Sequence, residues 1–102
     1  MQTFTNEAEQ TAYNLAEALA DKAMSFMRNA EEAAKAFQSG RIAMRRQFKA
    51  RGLSEAEADI RFSGSVQASR AIAENSFCMS QASMYNAAAA TQYAKALYLK
   101  KQ

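Results

Sequence analysis

Arg51-Gly52-Leu53-Ser54-Glu55-Ala56-Glu57 is the stretch on which the fold turns. Gly52 comes after a run of helix-forming residues and suits the left-handed position just past a helix end, with Lys49 and Arg51 in the preceding turn favouring its negative pole. Ser54 and Glu57 stand three apart, the spacing of a capping box. In that arrangement the serine hydroxyl and the glutamate carboxylate each accept from the other's backbone N–H. Leu53, just outside, is placed to staple onto the next first turn. One helix therefore stops at about residue 51, the chain turns over 52–54, and a second helix starts at about 55.

Upstream, Thr5 or Asn6 can cap the first helix, with Glu7 and Glu9 at its positive end. From there Ala8, Ala12, Leu15, Leu19, Ala23, Phe26, Ala30, Ala33, Phe37, Gly40, Met44 and Phe48 recur in steps of three and four, the mark of one helical face. Two conformations compete at Ser39-Gly40. The chain can break there, or it can stay helical with the glycine admitting a close neighbour at a cost of about 1 kcal/mol. The unbroken phase of the stripe favours continuity.

Downstream, the second helix runs from about 55 to about 99, and Gly64 within Phe62-Ser63-Gly64-Ser65 is its weakest point, open to a kink or short break. Helix one begins acidic and ends with Arg41, Arg45, Arg46, Lys49 and Arg51. Helix two begins with Glu55, Glu57 and Asp59 and ends with Lys95, Lys100 and Lys101. Each helix complements its own dipole, and folding back sets unlike ends together. The expected fold is all-α: a single domain over 1–102, built as an antiparallel hairpin of two long helices.

The second helix carries more apolar surface than one neighbour covers. Ile72, Met79, Ala90, Tyr93 and Leu97 lie along one edge. Phe62, Val66, Ala73, Phe77, Met84, Ala88 and Tyr98 lie on the other side of the same broad arc, about 200° wide against the roughly 100° stripe a single partner shields. Helix one adds Tyr13, Ala16, Ala20, Met24 and Met27. Left bare, such patches exceed what monomers usually expose. A homo-oligomer, or docking on a protein partner, would complete a bundle, with Phe62, Val66, Ile72, Phe77, Met79, Met84, Tyr93, Leu97 and Tyr98 as the interface. Ser76, Ser80, Ser83 and Asn86 on or beside this face are either solvated boundary positions or polar groups that set a helix–helix register.

Composition narrows the chemistry. The 102 residues hold no histidine, proline or tryptophan, three glycines and one cysteine, and apolar residues reach 49% largely through alanine. Without histidine there is no imidazole base and no common metal ligand. Cys78 between Phe77 and Met79 reads as a packed small residue rather than a nucleophile, and it has no disulfide partner within the chain. Glu31-Glu32 and Glu55-Glu57 sit where exposed faces and caps want them, and no glycine-rich phosphate loop is present. The expectation is no enzyme, no cofactor and no metal. The six methionines and ten aromatics read as packing along the stripes before they read as an adaptable binding groove.

The formal charge of +3 is mild. Arg41, Arg45 and Lys49 nevertheless share one flank of helix one, with Arg46 farther round, and such a ridge can contact phosphates. The competing explanation is a solvated helix end that needs positive charge and faces the acids of helix two. The first residues, Met1-Gln2-Thr3-Phe4-Thr5-Asn6-Glu7, lack a basic region leading into an apolar run, so no signal peptide is expected. Residues 75–94 carry no charge but too many serines, asparagines and glutamines for a membrane span. A cytoplasmic or virion-associated location is therefore the expectation.

Phe62-Ser63-Gly64 is similar to the Trp-x-Gly turn of a family of small secreted helical hairpins. It lacks the tryptophan, lies about ten residues beyond the expected turn, and has no tyrosine-plus-acid export signal after it, since Glu74 is the last acid. Membership is not assigned. The texture of the whole, rich in alanine and glutamine with a polar, uncharged second half, resembles small helical accessory proteins of tailed bacteriophages. That resemblance implies a non-catalytic structural or accessory component of a phage particle or another mobile-element machine. The alternatives are a small nucleic-acid-binding accessory protein that uses Arg41, Arg45, Arg46 and Lys49, and an inhibitor that docks on a host protein.

Overall fold

The computed structural model describes residues 6–101, and among them every regular element is helical: α1 Glu7–Ala50, α2 Glu55–Ser63 and α3 Val66–Lys100. Asn6 caps α1. Its side-chain oxygen accepts from the Glu9 N–H at 2.7 Å and its carbonyl from the Gln10 N–H at 3.2 Å, which satisfies donors that the first helical turn leaves open. Thr5, the other candidate cap, lies outside the described residues.

The end of α1 is set by Gly52. At φ 77° it is in the left-handed region, its N–H donates to the Lys49 carbonyl at 3.0 Å, and the Leu53 N–H reaches back to the Phe48 carbonyl at 2.9 Å. This pair of bonds is a Schellman motif. Ser54 then starts α2 from extended backbone, and its hydroxyl accepts from the Glu57 N–H at 3.2 Å.

The second long helix expected from the sequence is in fact two helices. α2 ends at Ser63, and the Gly64 and Ser65 N–H groups close the turn on Ile60 and Phe62 at 3.3 and 2.9 Å. Ser65 restarts the chain as α3: its hydroxyl donates to the Phe62 carbonyl at 2.6 Å and accepts from the Ala68 N–H at 3.1 Å. One side chain thus closes one helix and opens the next. Gly40, by contrast, does not interrupt α1.

α1 and α3 pack against each other, and the chain divides into two compact units: Met1–Met27 with Ser80–Gln102, and Arg28–Met79. In the first unit the Asn6 amide donates to the Leu99 carbonyl at 3.4 Å, Tyr93 meets Glu17 and Tyr13, and Phe26 stacks on Tyr85 with ring centroids 5.7 Å apart. Rising numbers in α1 meet falling numbers in α3, so the two run antiparallel here. Its buried residues are Ala12, Ala16 and Ala23 on α1, facing Ala82, Ala89 and Ala96 on α3, with Glu9 buried at the α1 start.

The second unit has the same antiparallel sense: Asn75 donates its amide to the Ala30 carbonyl at 2.9 Å, and Arg45 pairs with Asp59. Ala30, Ala33, Ala58, Ala68, Ala71, Cys78 and Phe62 are buried. Phe62 is the largest side chain fully enclosed, and it meets Phe37 edge-on with centroids 5.1 Å apart.

Burial recurs at intervals of seven along both long helices, at Ala16, Ala23 and Ala30 on α1 and at Ala82, Ala89 and Ala96 on α3. This is a coiled-coil period, with alanine where coiled coils usually place leucine or isoleucine. It shifts the expected α1 stripe in its first part. Leu15 is 46% exposed, and Ala16, assigned by the sequence to a secondary stripe, is fully buried.

Candidate functional site

The residues expected to form an interface fall into separate groups. Phe62 does not belong with the rest. It is 1% exposed, held between Phe37 and the Gly40 backbone, and is a core residue of its unit. Tyr93 is half-buried, its hydroxyl donating to the Glu17 carboxylate at 2.8 Å. Val66, Ile72, Phe77, Met79, Met84, Leu97 and Tyr98 all stand exposed, with Ile72 at 55% and Met84 at 63%.

Their exposure is a consequence of the seam. Ala71 and Cys78 are buried, and the next residue along a helix is turned by about 100°, so Ile72 and Met79 lie beside the contact rather than in it. Ser76, Ser80, Ser83 and Asn86 are exposed as well, so their polar groups reach water and the demand for buried partners does not arise. In the second unit, Ala33, Ala34, Phe37, Gln38, Ala71, Ile72, Asn75 and Ser76 line a groove of about 210 Å³. Its floor is mostly apolar, and the Asn75 amide within it is already bonded to the Ala30 carbonyl.

Two polar constellations lie close to these surfaces. Glu17 accepts from Tyr93, and this bond, with a further one to Tyr13, lowers its pKa. Its own bond to Glu17 pushes the Tyr93 phenol up to about 12, and the Tyr13 bond to Glu17 raises that of Tyr13. A phenol that donates to a carboxylate gives up its proton reluctantly, and the carboxylate is held ionised. Sequence reading missed this cluster because Glu17 and Tyr93 stand 76 positions apart.

The basic run is not a uniform ridge. Arg45 is half-buried and forks onto Asp59, Nε to Oδ1 at 2.8 Å and Nη2 to Oδ2 at 2.6 Å, with Glu55 at 3.7 Å. The Arg45 bond holds the Asp59 carboxyl below its ordinary range, and Arg41 adds a smaller pull. Arg41 donates from Nη2 to the Gln38 side-chain oxygen at 2.6 Å, while its buried Nε has no partner among the described residues. Arg46 and Lys49 stand exposed. The acids at the start of α2 thus engage one of the four candidate phosphate ligands directly.

Among the described residues, no three cysteine, aspartate or glutamate side chains gather where they could hold a metal ion. No helix there is long and apolar enough to cross a membrane. Compared with known protein families, curated proteins and solved structures, the chain matches none.

Proposed function

We propose that this chain is a non-catalytic helical assembly protein, a structural or accessory component of a larger complex such as a phage particle or another mobile-element machine. The observation that carries the reading is an inversion of the usual order of burial. Apart from Phe62 and Cys78 the buried core is alanine, while Ile72, Met79, Met84, Leu97 and Tyr98 remain outside it. Alanine buries little area, whereas full burial of a leucine, isoleucine or methionine is worth about 1.5–3 kcal/mol. Side chains whose burial would contribute that much are therefore still available to a partner.

The particle context rests on the alanine- and glutamine-rich composition and the uncharged stretch 75–94.

The test is the size of the chain in native extract, read by gel filtration against a variant carrying Ile72→Glu and Met84→Glu. Both positions are exposed, so helicity by circular dichroism should be retained. The wild-type chain should elute within an assembly and the variant as a free chain. A wild-type chain that elutes alone in extract would overturn the proposal.

A further inference from the structure

Along α1 in the second unit the inward residues keep step: Ala30 and Ala33 are buried and Phe37, Gly40 and Met44 half-buried, at intervals of three and four. The first part of α3 keeps step as well, through Ala68, Ala71, Asn75 and Cys78. α2 does not share that phase. Its buried residues are Ala58 and Phe62, and Phe62 precedes Ala68 by six positions where the heptad repeat asks for seven. In an unbroken helix, at about 100° per residue, Phe62 would lie about 120° around the axis from Ala68 and about 180° from Ala71. Glu57, Arg61 and Gly64, all exposed, would turn towards α1 instead.

We infer that the Gly64–Ser65 break is a one-residue phase correction, a conformational device that brings α2 onto α1 and thereby masks Arg45. The backbone shows how the step is absorbed. The Ser65 N–H bonds the Phe62 carbonyl, three residues back instead of four, at 2.9 Å, and a turn of this kind winds at about 120° per residue. The extra winding returns Phe62 to the side that Ala68 occupies, where it meets Phe37 and lies against Gly40. Ser65 limits what the interruption loses: its hydroxyl accepts from the Ala68 N–H at 3.1 Å, one of the donors that a new helix start leaves open.

The same step decides a charge. Asp59 precedes Ala68 by nine positions, so an unbroken helix would carry it about 180° from Ala68, to the side turned away from α1. With the break it receives the Arg45 fork at 2.8 and 2.6 Å. The basic end of α1 therefore presents Arg46 and Lys49 to solvent and keeps Arg45 engaged. Where the helix breaks sets how much of the basic run is free.

The test restores the missing residue in the purified full-length chain. An alanine inserted between Gly64 and Ser65 sets Phe62 and Ala68 seven apart, so that a single helix satisfies both. Helicity by circular dichroism should rise, the urea midpoint should hold or rise, and hydrogen exchange at the Val66 and Gln67 amides should slow. An alanine inserted between Ala73 and Glu74, where no residue is missing, should lower the midpoint. Asp59→Asn should lower the melting temperature equally in the parent and in the chain extended after Gly64, because the restored helix still brings Asp59 to Arg45. An insertion after Gly64 that lowers the midpoint as far as the one after Ala73 overturns the phase correction. Unchanged helicity with fast exchange at Val66 and Gln67 overturns it too. An Asp59→Asn effect absent from either chain overturns the link to Arg45.

Discussion

Gly40 lies directly beneath the ring of Phe62. A Cβ added at residue 40 would come within 2.6 Å of the ring edge and equally close to the Gln67 amide nitrogen. The glycine sits mid-helix, where it costs about 1 kcal/mol relative to alanine. In return it lets the largest enclosed side chain of the molecule settle against α1.

Gly40→Ala should therefore destabilise the protein despite its better helix propensity. The Gln67 end can swing away, but the enclosed Phe62 ring cannot, and overpacking of this kind costs about 1–3 kcal/mol, so a net loss of about 1 kcal/mol should remain in urea unfolding. In a Phe62→Ala background the same change should become neutral or stabilising, and that coupling is the decisive measurement.

Gly64→Ala should act in the opposite sense. Gly64 has φ −87° and ψ 1°, open to any residue, and an added Cβ would touch only the Arg61 and Ile60 carbonyls at ordinary contact, 3.8 and 3.9 Å. Reduced freedom of the unfolded chain should raise stability by about 0.4–1 kcal/mol, read as a higher denaturant midpoint at unchanged slope.

Ala16→Leu should destabilise by about 1–3 kcal/mol, because the site is closed and facing side chains are already in place. Leu15→Ala, one residue away but nearly half exposed, should change stability by no more than about 0.5 kcal/mol. A buried stripe running through Leu15 predicts the reverse order, so one pair of thermal melts separates the two registers.

On the alkaline side, the Tyr93 proton is held up to about 12 by Glu17. A group with a raised folded pKa stabilises fully below its unfolded value near 10 and loses that contribution as pH climbs through the folded value. Melting temperature should fall between pH 10 and 12, and Tyr93→Phe should be less stable at neutral pH with a shallower alkaline decline. Ultraviolet titration should show Tyr93 ionising late, with Tyr13 also above the ordinary range.

Asp59 gives the acid counterpart. Arg45 holds its carboxyl below the ordinary range, so its contribution is complete above the unfolded pKa and disappears as pH falls through the lowered folded one. Asp59→Asn should lower the melting temperature at neutral pH and flatten its acid dependence. Arg45→Ala should destabilise the fold in the same way, which separates a structural role from a phosphate-binding one. Any loss of polyanion binding would then need Arg46 and Lys49 changed with the fold intact.

The local punctuation of this chain was legible in its residues because each signal acts within a few positions. Asn6 caps the helix that begins beside it, Gly52 adopts the backbone that other residues resist, and Ser54 closes the first turn of α2. The continuity of α1 through Gly40 was also readable from phase, but its cause was not, since Phe62 arrives from another helix. The pairing of Glu17 with Tyr93 and the withdrawal of Arg45 onto Asp59 join residues remote in sequence, and no short-range pattern encodes them.

By itself, then, the sequence determined that the chain is helical, where it turns, and that its apolar surface is wide. Only tertiary structure decided which part of that surface is enclosed. Periodicity marks every apolar stripe alike, and reading by size gives the interior of α1 to Leu15. Packing two long helices gave the interior to Ala16, Ala71 and Cys78, because small side chains facing each other let the backbones approach, and bulkier neighbours must then remain outside the contact.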